Sequence, residues 1–397
     1  MDPLAPKTIL EKTIVNQQKK IYQKAQSFDT FFSNLNNPAD LTTKRVVRIL
    51  EEYLATDTAD SRKPVLSEAL ESLKTIEAEN ANFRITIPIA DELSHIKDAD
   101  VPRYIFHRYR YDVFPRQKRL DEYPPYLQIE PTSICNYRCV FCYQTDNTFT
   151  QKSGGFMGSM SFELFKKIID GVEGKVEFFS LASRGEPFVC KDIDKMLKYC
   201  EGKFLGLKVN TNASLLNTEH CHAILSGGVN TLVISADAAQ EPLYSQLRVN
   251  GKLDKVLANL QLFKTIQEKF YPKSRLITRV SGVKYNAAQE MNSMTDVWGR
   301  LVDQVCFVDY NPWENVYESA PNHVAAPCSD LWRRMFVWYD GTVNPCDTDY
   351  KSLLTMGKIN QSSVSKLWRG AAYEQLRKKH LENERKSIEP CRRCTVI

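Results

Sequence analysis

No run in this sequence approaches the roughly 18 consecutive apolar residues that a membrane-spanning helix needs, so no transmembrane segment is expected. The opening stretch, MDPLAPKTILEKT, shows no charged region followed by an apolar core. No secretion signal is read from it, and a cytoplasmic location is the expectation. Strong charge of one sign is also missing. A formal net charge of +5 on 397 residues suits an acidic or phosphorylated substrate but is too weak to argue for nucleic acid, which is not an expected partner. No internal repeat and no low-complexity tract is detected. The six histidines form no metal-ligand spacing; His220 and His222, two apart, point different ways on a helix.

Cysteine, by contrast, is plentiful. Eleven thiols in a chain read as cytosolic, where stable disulfides are uncommon, and grouped at short spacings, point to metal rather than to a disulfide framework. Cys135, Cys139 and Cys142 fall within SICNYRCVFCYQ. Cys328, Cys346, Cys391 and Cys394 lie in the last seventy residues, and Cys190, Cys200, Cys221 and Cys306 are scattered.

The length allows two or three domains. Residues 1–122 read mostly as helix, with TILEKTIVNQQKKIYQKAQSFDTFF and LTTKRVVRILEEYLA carrying apolar residues at helical spacing. Thr42 or Thr43 is the expected cap of the second. The stretch RYIFHRYRYDVFPRQKR interleaves basic and aromatic residues. Either it binds a phosphate, a nucleic acid or a peptide, or it connects two domains with its rings packed inward and its charges in water. The second reading is preferred.

Residues 123–314 alternate short apolar runs, YLQIE, KVEFFSLAS, GLKVNTN, NTLVISAD, RLITRVSGV and QVCFVDY, with helical stretches. Six such units imply an α/β fold, a TIM-like barrel or part of one, with its site at the carboxyl ends of the strands. The first cysteine set directly follows the first strand. In residues 315–397 the alternation stops; DGTVNPC reads as a hairpin, and SSVSKLWRGAAYEQLRKKHL as helical.

Three thiolates spaced C-x3-C-x2-C can wrap one corner of a cubic iron–sulfur cluster and leave one iron open to a small molecule; zinc is the other metal such a cluster suits. The trio, with Phe141 before its last cysteine, resembles the signature of the radical S-adenosylmethionine (SAM) enzymes. The resemblance extends along the chain. SRGEP at 183–187 is similar to that family's G-G-E-P loop, with Arg184 in place of the second glycine. VNTNA at 209–213 is similar to its T-N-G segment, with Ala213 where glycine is usual, and ISADAAQEPLYSQLR at 234–248 to its fourth-strand segment.

That resemblance implies a partial (β/α)6 barrel. It implies that Cys135, Cys139 and Cys142 hold a [4Fe–4S] cluster, and that Gly185, Glu186, Asn210, Asn212, Ser235, Asp237 and Arg248 contact SAM. It also implies reductive cleavage of SAM to a 5′-deoxyadenosyl radical that abstracts hydrogen from a substrate C–H bond, with flavodoxin or ferredoxin as electron donor. APCSDLW, DGTVNPCD and PCRRC resemble the SPASM/twitch extension. Cys328, Cys346, Cys391 and Cys394 would there hold one auxiliary [4Fe–4S] cluster in a small C-terminal Fe–S domain.

The expected substrate is a small carbohydrate-like or natural-product molecule that is oxidised or epimerised. A ribosomal peptide is the alternative, and a zinc-bound scaffold is the rival from another class. Cys306, in the sixth strand, is a candidate hydrogen donor, or else a small buried hydrophobe. Arg279, Tyr310, Asn311 and Asp347 are further candidates to line a substrate cavity.

Overall fold

The computed structural model describes residues 21–23, 28–75 and 82–397. The six apolar runs become β2 (Tyr126–Ile129), β4 (Phe178–Leu181), β5 (Gly206–Thr211), β6 (Val229–Ser235), β8 (Ile277–Lys284) and β9 (Gln304–Asp309). These pair in parallel in the order β9-β8-β6-β5-β4-β2. Helices α7 (Phe162–Val172), α8 (Ile193–Tyr199), α9 (Thr218–Ser226), α11 (Leu253–Phe270) and α12 (Met291–Trp298) connect them. Ser161 caps α7 by accepting from the Leu164 N–H, and Asn217 caps α9 by accepting from the His220 N–H, as short polar side chains do. Short elements sit in the loops: β3 (Arg138–Cys139), α6 (Asn147–Thr150), α10 (Leu243–Leu247) and β7 (Arg248–Val249).

Because side chains alternate along a strand, the sheet has two characters. Leu127, Ile129, Phe179, Leu181, Leu207, Val209, Leu232, Ile234, Val280 and Val305 are buried in one apolar core with Phe165, Ile168, Leu197, Ile224, Val256 and Leu260 of the helices. The alternate positions line the concave face and include the polar residues Gln128, Ser180, Lys208, Asn210, Ser235 and Ser281.

The N-terminal region departs from expectation at its start. Part of the stretch read as one helix from Thr8 to Phe32 lies outside the described residues, and its end is a strand, β1 (Phe28–Ser33), antiparallel to β9. A free sheet edge there outweighs local helical spacing. Helices α1 (Ala39–Leu54), α2 (Lys63–Lys74), α3 (Ile87–Ser94), α4 (Val101–Asp112) and α5 (Phe114–Gln117) bury a core of their own, including Val46, Leu50, Leu66, Leu73, Ile89 and Ile105. The cap of α1 is Pro38 without a side-chain bond. Thr42 and Thr43 lie inside the helix, and their hydroxyls donate back to the Pro38 and Ala39 carbonyls.

The basic–aromatic stretch forms α4 and α5, and several of its rings face the barrel. His107 stacks on Phe178 at 4.1 Å, Tyr104 meets the same ring edge-on, and Tyr111 meets Tyr126. Phe178 and Tyr126 open their strands, so these helices close the amino-terminal end of the concave face.

At the other edge the C-terminal segment supplies β10 (Arg334–Val337), β11 (Thr342–Asn344) and β12 (Gly357–Lys358). The β10–β11 hairpin forms as read from DGTVNPC. Unanticipated is that β10 pairs in parallel with β2, Arg334 opposite Tyr126, so one sheet crosses the boundary drawn at 314/315. Helices α13 (Val364–Trp368) and α14 (Ala371–Leu381) follow. Among the described residues, no helix is long and apolar enough to cross a membrane.

Candidate functional site

Beyond β2 the chain turns through Glu130 into the loop of Cys135, Cys139 and Cys142, at the carboxyl end of the sheet. Two contacts fix its shape. Cys139 in β3 lies opposite Arg248 in β7, and the Val140 N–H donates to the Leu247 carbonyl at 3.0 Å. This places the Arg248 guanidinium 3.8 Å from the Cys139 sulfur. Asp237, fully buried at the end of β6, pairs with Arg248 at 2.6 Å and accepts from the Val283 N–H at 2.7 Å. Burial pushes the Cys139 thiol up, against the pull of Arg248. Burial, then the Glu186 carboxylate, pushes Cys135 up to about 12. Cys142 rises through burial and then through Cys139. Three thiols, Cys139 buried and Cys135 and Cys142 half-buried, near enough to repel one another, form a donor set that favours a thiophilic metal centre.

The SRGEP loop packs directly onto the cysteine loop. A Cβ on Gly185 would lie 2.3 Å from the Thr132 carbonyl oxygen and 2.5 Å from that of Ile134, so only glycine lets the two backbones meet. The Glu186 N–H donates to the Ile134 carbonyl at 3.0 Å. Gln144 Nε2 bridges the loops, donating to the carbonyls of Ser133 and Arg184, and the Tyr143 hydroxyl donates to the Ser183 carbonyl at 3.0 Å.

Glu186 ties this layer to β5. Its carboxylate accepts from Thr211 Oγ1 at 2.6 Å, from the Asn212 N–H at 2.7 Å and from the Phe188 N–H at 3.3 Å. Burial raises its pKa to about 7, against those hydrogen bonds. Asn212 completes the lattice through Asn136 and Ser214. Ala213 sits at φ 59°, the left-handed backbone that favours glycine.

Polar atoms are left over around this layer. Asn210 Oδ1, Ser183 Oγ and Arg248 Nε are buried without a hydrogen-bond partner, and buried polar atoms usually have one. Ser235 ends β6, half-buried, beside Ser281. Orphaned acceptors and a donor beside three thiols, with a glycine cradle beneath, fit a polar ligand bound against a metal–sulfur centre. Cys306 lies mid-strand in β9 opposite Ser281, fully buried.

Sequence reasoning took Arg184 for a departure from pattern and overlooked Glu130. In the fold they form a buried pair: Arg184 Nε and Nη2 reach the two Glu130 oxygens at 2.7 and 2.5 Å. Arg184 Nη1 donates to the Tyr350 carbonyl at 2.8 Å, and its guanidinium lies 4.2 Å from the Trp338 ring centre. The residue in the glycine position thus fastens the cysteine layer to the C-terminal segment. Tyr143, next to Cys142, stacks on Tyr350 at 4.9 Å, and Tyr350 meets Tyr317 at 4.9 Å.

Cys328, Cys346, Cys391 and Cys394 come together in that segment and are half-buried. Cys346 is pushed up by burial, then by Asp349 and the other three thiols; Cys328 rises to about 11, chiefly through burial. Arg385 braces the set, donating to the carbonyls of Ala326, Cys391, Cys394 and Val396. Asn311, grouped earlier with the cavity residues, instead donates to Thr395 Oγ1 at 2.8 Å. Among the described residues, no group of three or more His, Cys, Asp or Glu converges as a single metal ion requires.

A parallel-stranded partial barrel with a trio of thiols at its carboxyl rim and four more behind it has the donor chemistry of a protein that holds metal–sulfur centres. Residues 129–271 match the Radical SAM superfamily model, and residues 328–395 match SPASM, an iron-sulfur cluster-binding domain. The chain belongs to the radical SAM superfamily and carries a SPASM C-terminal domain. A radical SAM domain binds SAM and a [4Fe–4S] cluster, and a SPASM domain binds additional Fe–S clusters.

The chain is 27% identical over 143 residues to GTP 3′,8-cyclase of Clostridium botulinum, covering 34% of this chain and 42% of that protein. It is 31% identical over 114 residues to the tungsten-containing aldehyde ferredoxin oxidoreductase cofactor-modifying protein of Pyrococcus furiosus, covering 28% and 30%. The chain thus spans less than half the length of either relative. The fold aligns with native anSMEcpe with bound AdoMet at 17% identity and a TM-score of 0.50, over 68% of this chain and 88% of that one.

Proposed function

We propose that this chain binds SAM against a cluster held by Cys135, Cys139 and Cys142, cleaves it reductively, and abstracts hydrogen from a substrate bound on the concave face. The observation that carries this is the set of orphaned polar atoms, Ser183 Oγ, Asn210 Oδ1 and Arg248 Nε, at the carboxyl end of the sheet that also carries the three thiols, with Arg248 3.8 Å from the Cys139 sulfur. When bound, the cluster and SAM supply one electron and a 5′-deoxyadenosyl radical.

The chain's own residues do the positioning. Gly185 brings the SRGEP backbone close enough to present its polar groups, and Glu186 locks that loop to β5. Asp237 holds Arg248 in place beside Cys139, leaving Arg248 Nε, Ser183, Asn210 and Ser235 to face the ligand. Asn212 stiffens the loop through Asn136 and Ser214. The helices that close the amino end of the barrel keep water from entering the concave face from below. Cys328, Cys346, Cys391 and Cys394 are proposed to hold the auxiliary cluster.

The helical N-terminal region packs onto the barrel floor; the substrate is proposed to be a small carbohydrate-like or natural-product molecule, oxidised or epimerised, and a cytoplasmic setting with flavodoxin or ferredoxin as donor is proposed with it. Cys306, on the concave side, is proposed as a hydrogen donor. The test is anaerobic reconstitution followed by iron and sulfide analysis and a 5′-deoxyadenosine assay with dithionite. About eight irons are expected for two cubanes, and replacing the three loop cysteines by alanine should abolish 5′-deoxyadenosine. Stoichiometric zinc without sulfide, or undiminished product from the triple variant, would sink the assignment.

A further inference from the structure

The mechanism above leaves unused a group of cations on the concave face. Lys208 projects from β5 one inward-facing position below Asn210, about 6.6 Å along the strand. Its β5 neighbours Leu207 and Val209 are buried on the helix side, whereas Lys208 is half-buried. Among the described residues, its ammonium has no hydrogen bond or ion pair.

Arg279, two strands away on β8, and Arg334, three strands away on β10, share this face; both oppose the Lys208 charge, burial is the larger cause, and together they bring the Lys208 pKa down to about 7. The opposing groups are few. Glu92 of α3 and the Cys306 thiol favour the charge, but Glu92 already accepts from the Tyr104 hydroxyl at 2.6 Å. Arg279 donates to Gln304 at 2.7 Å. Arg334 is bonded to the Tyr111 hydroxyl and feels Asp330. A partly desolvated amine with no partner is costly unless something completes it.

We propose that Lys208, on the concave face it shares with Arg279 and Arg334, is the subsite for an anionic group of the substrate, a carboxylate or a phosphate. This rests on the SAM-enzyme reading of the same face. The substrate would stand with its anionic end on β5 at Lys208 and its reacting carbon toward Asn210 and the cysteine layer.

The experiment is calorimetric titration of the anaerobically reconstituted protein with inorganic phosphate, with glutarate and with neutral glycerol, using wild type, Lys208→Met and Lys208→Arg; SAM affinity is measured on each. Expected is binding of phosphate or glutarate but not glycerol, weakened at least about tenfold by Lys208→Met, the loss of one charge-assisted hydrogen bond, and largely kept by Lys208→Arg. Which probe binds tells phosphate from carboxylate. Equal affinity of both anions for wild type and Lys208→Met, or no anion binding to wild type, overturns the subsite. Lys208-dependent anion binding in a protein that takes up no SAM supports the subsite while refuting the enzyme reading, so the two failures are told apart.

Discussion

Replacing Arg184 by methionine should be among the more damaging single changes available outside the cysteines. Glu130 has no exposed surface and Arg184 is 3% exposed, so the substitution leaves a carboxylate in the interior facing only the Arg184 and Tyr339 N–H groups at 3.2 Å. Breaking a buried pair by removing one partner costs about 3–5 kcal/mol. The orphaned Tyr350 carbonyl and the lost contact with Trp338 add smaller amounts, about 1 kcal/mol each. Since such terms do not add fully, a loss of about 4 kcal/mol is expected.

Urea unfolding of the wild type and Arg184→Met, followed by the fluorescence of the five tryptophans, measures it; Trp338 is the one that lies against the guanidinium. Adding Glu130→Gln to Arg184→Met removes the stranded charge and should recover at least half of the loss. A single variant within about 1 kcal/mol of wild type, or a double variant that loses more than the single, refutes the view that this pair joins the two parts of the chain.

Other outcomes follow from the same structure. Lys208→Met should stabilise the protein by about 1–3 kcal/mol at pH 6. The folded-state pKa of Lys208 is lowered to about 7 from 10.5, so its cost is full below pH 7 and fades as the pH rises to 10.5; thermal melts should show the gain vanish by then. Gly185→Ala forces a methyl against two backbone oxygens and should cost about 1–3 kcal/mol and weaken SAM binding, read from melting and calorimetry. Ala213→Gly relieves a left-handed alanine and should raise stability by about 0.5–1 kcal/mol, with SAM affinity unchanged. His107→Ala removes the stack on Phe178 and should loosen the N-terminal helices, seen as faster amide exchange in α4 with little change in α11.

The legible parts of the chain were those whose cause is local. A short, largely apolar run between polar loops reads as a buried parallel strand, and all six such runs proved to be strands in one sheet. The cysteine spacings and RGEP are likewise contiguous in sequence. What escaped were features made by partners far apart. Strand β1 forms because β9 offers an edge across roughly 270 residues, which no window around Phe28 contains. Arg184 looked like a flaw because Glu130 is 54 residues away. Asn136, Thr211 and Ser214 carry no pattern of their own, and their roles arise only where the loops meet. Nothing in the basic–aromatic spacing of RYIFHRYRYDVFPRQKR separates a binding surface from a packed one; the ring contacts with Phe178 and Tyr126 favour the packed reading.

The pairing of β10 with β2 sets an order of events during synthesis. Strand β2 leaves the ribosome roughly 200 residues before its partner, and until then one edge of the barrel sheet is bare, a template for pairing with other chains. Closing so distant a contact is slow. The newborn barrel would therefore depend on chaperones or on rapid elongation, and a chain cut short after β9 should aggregate rather than persist as a smaller enzyme.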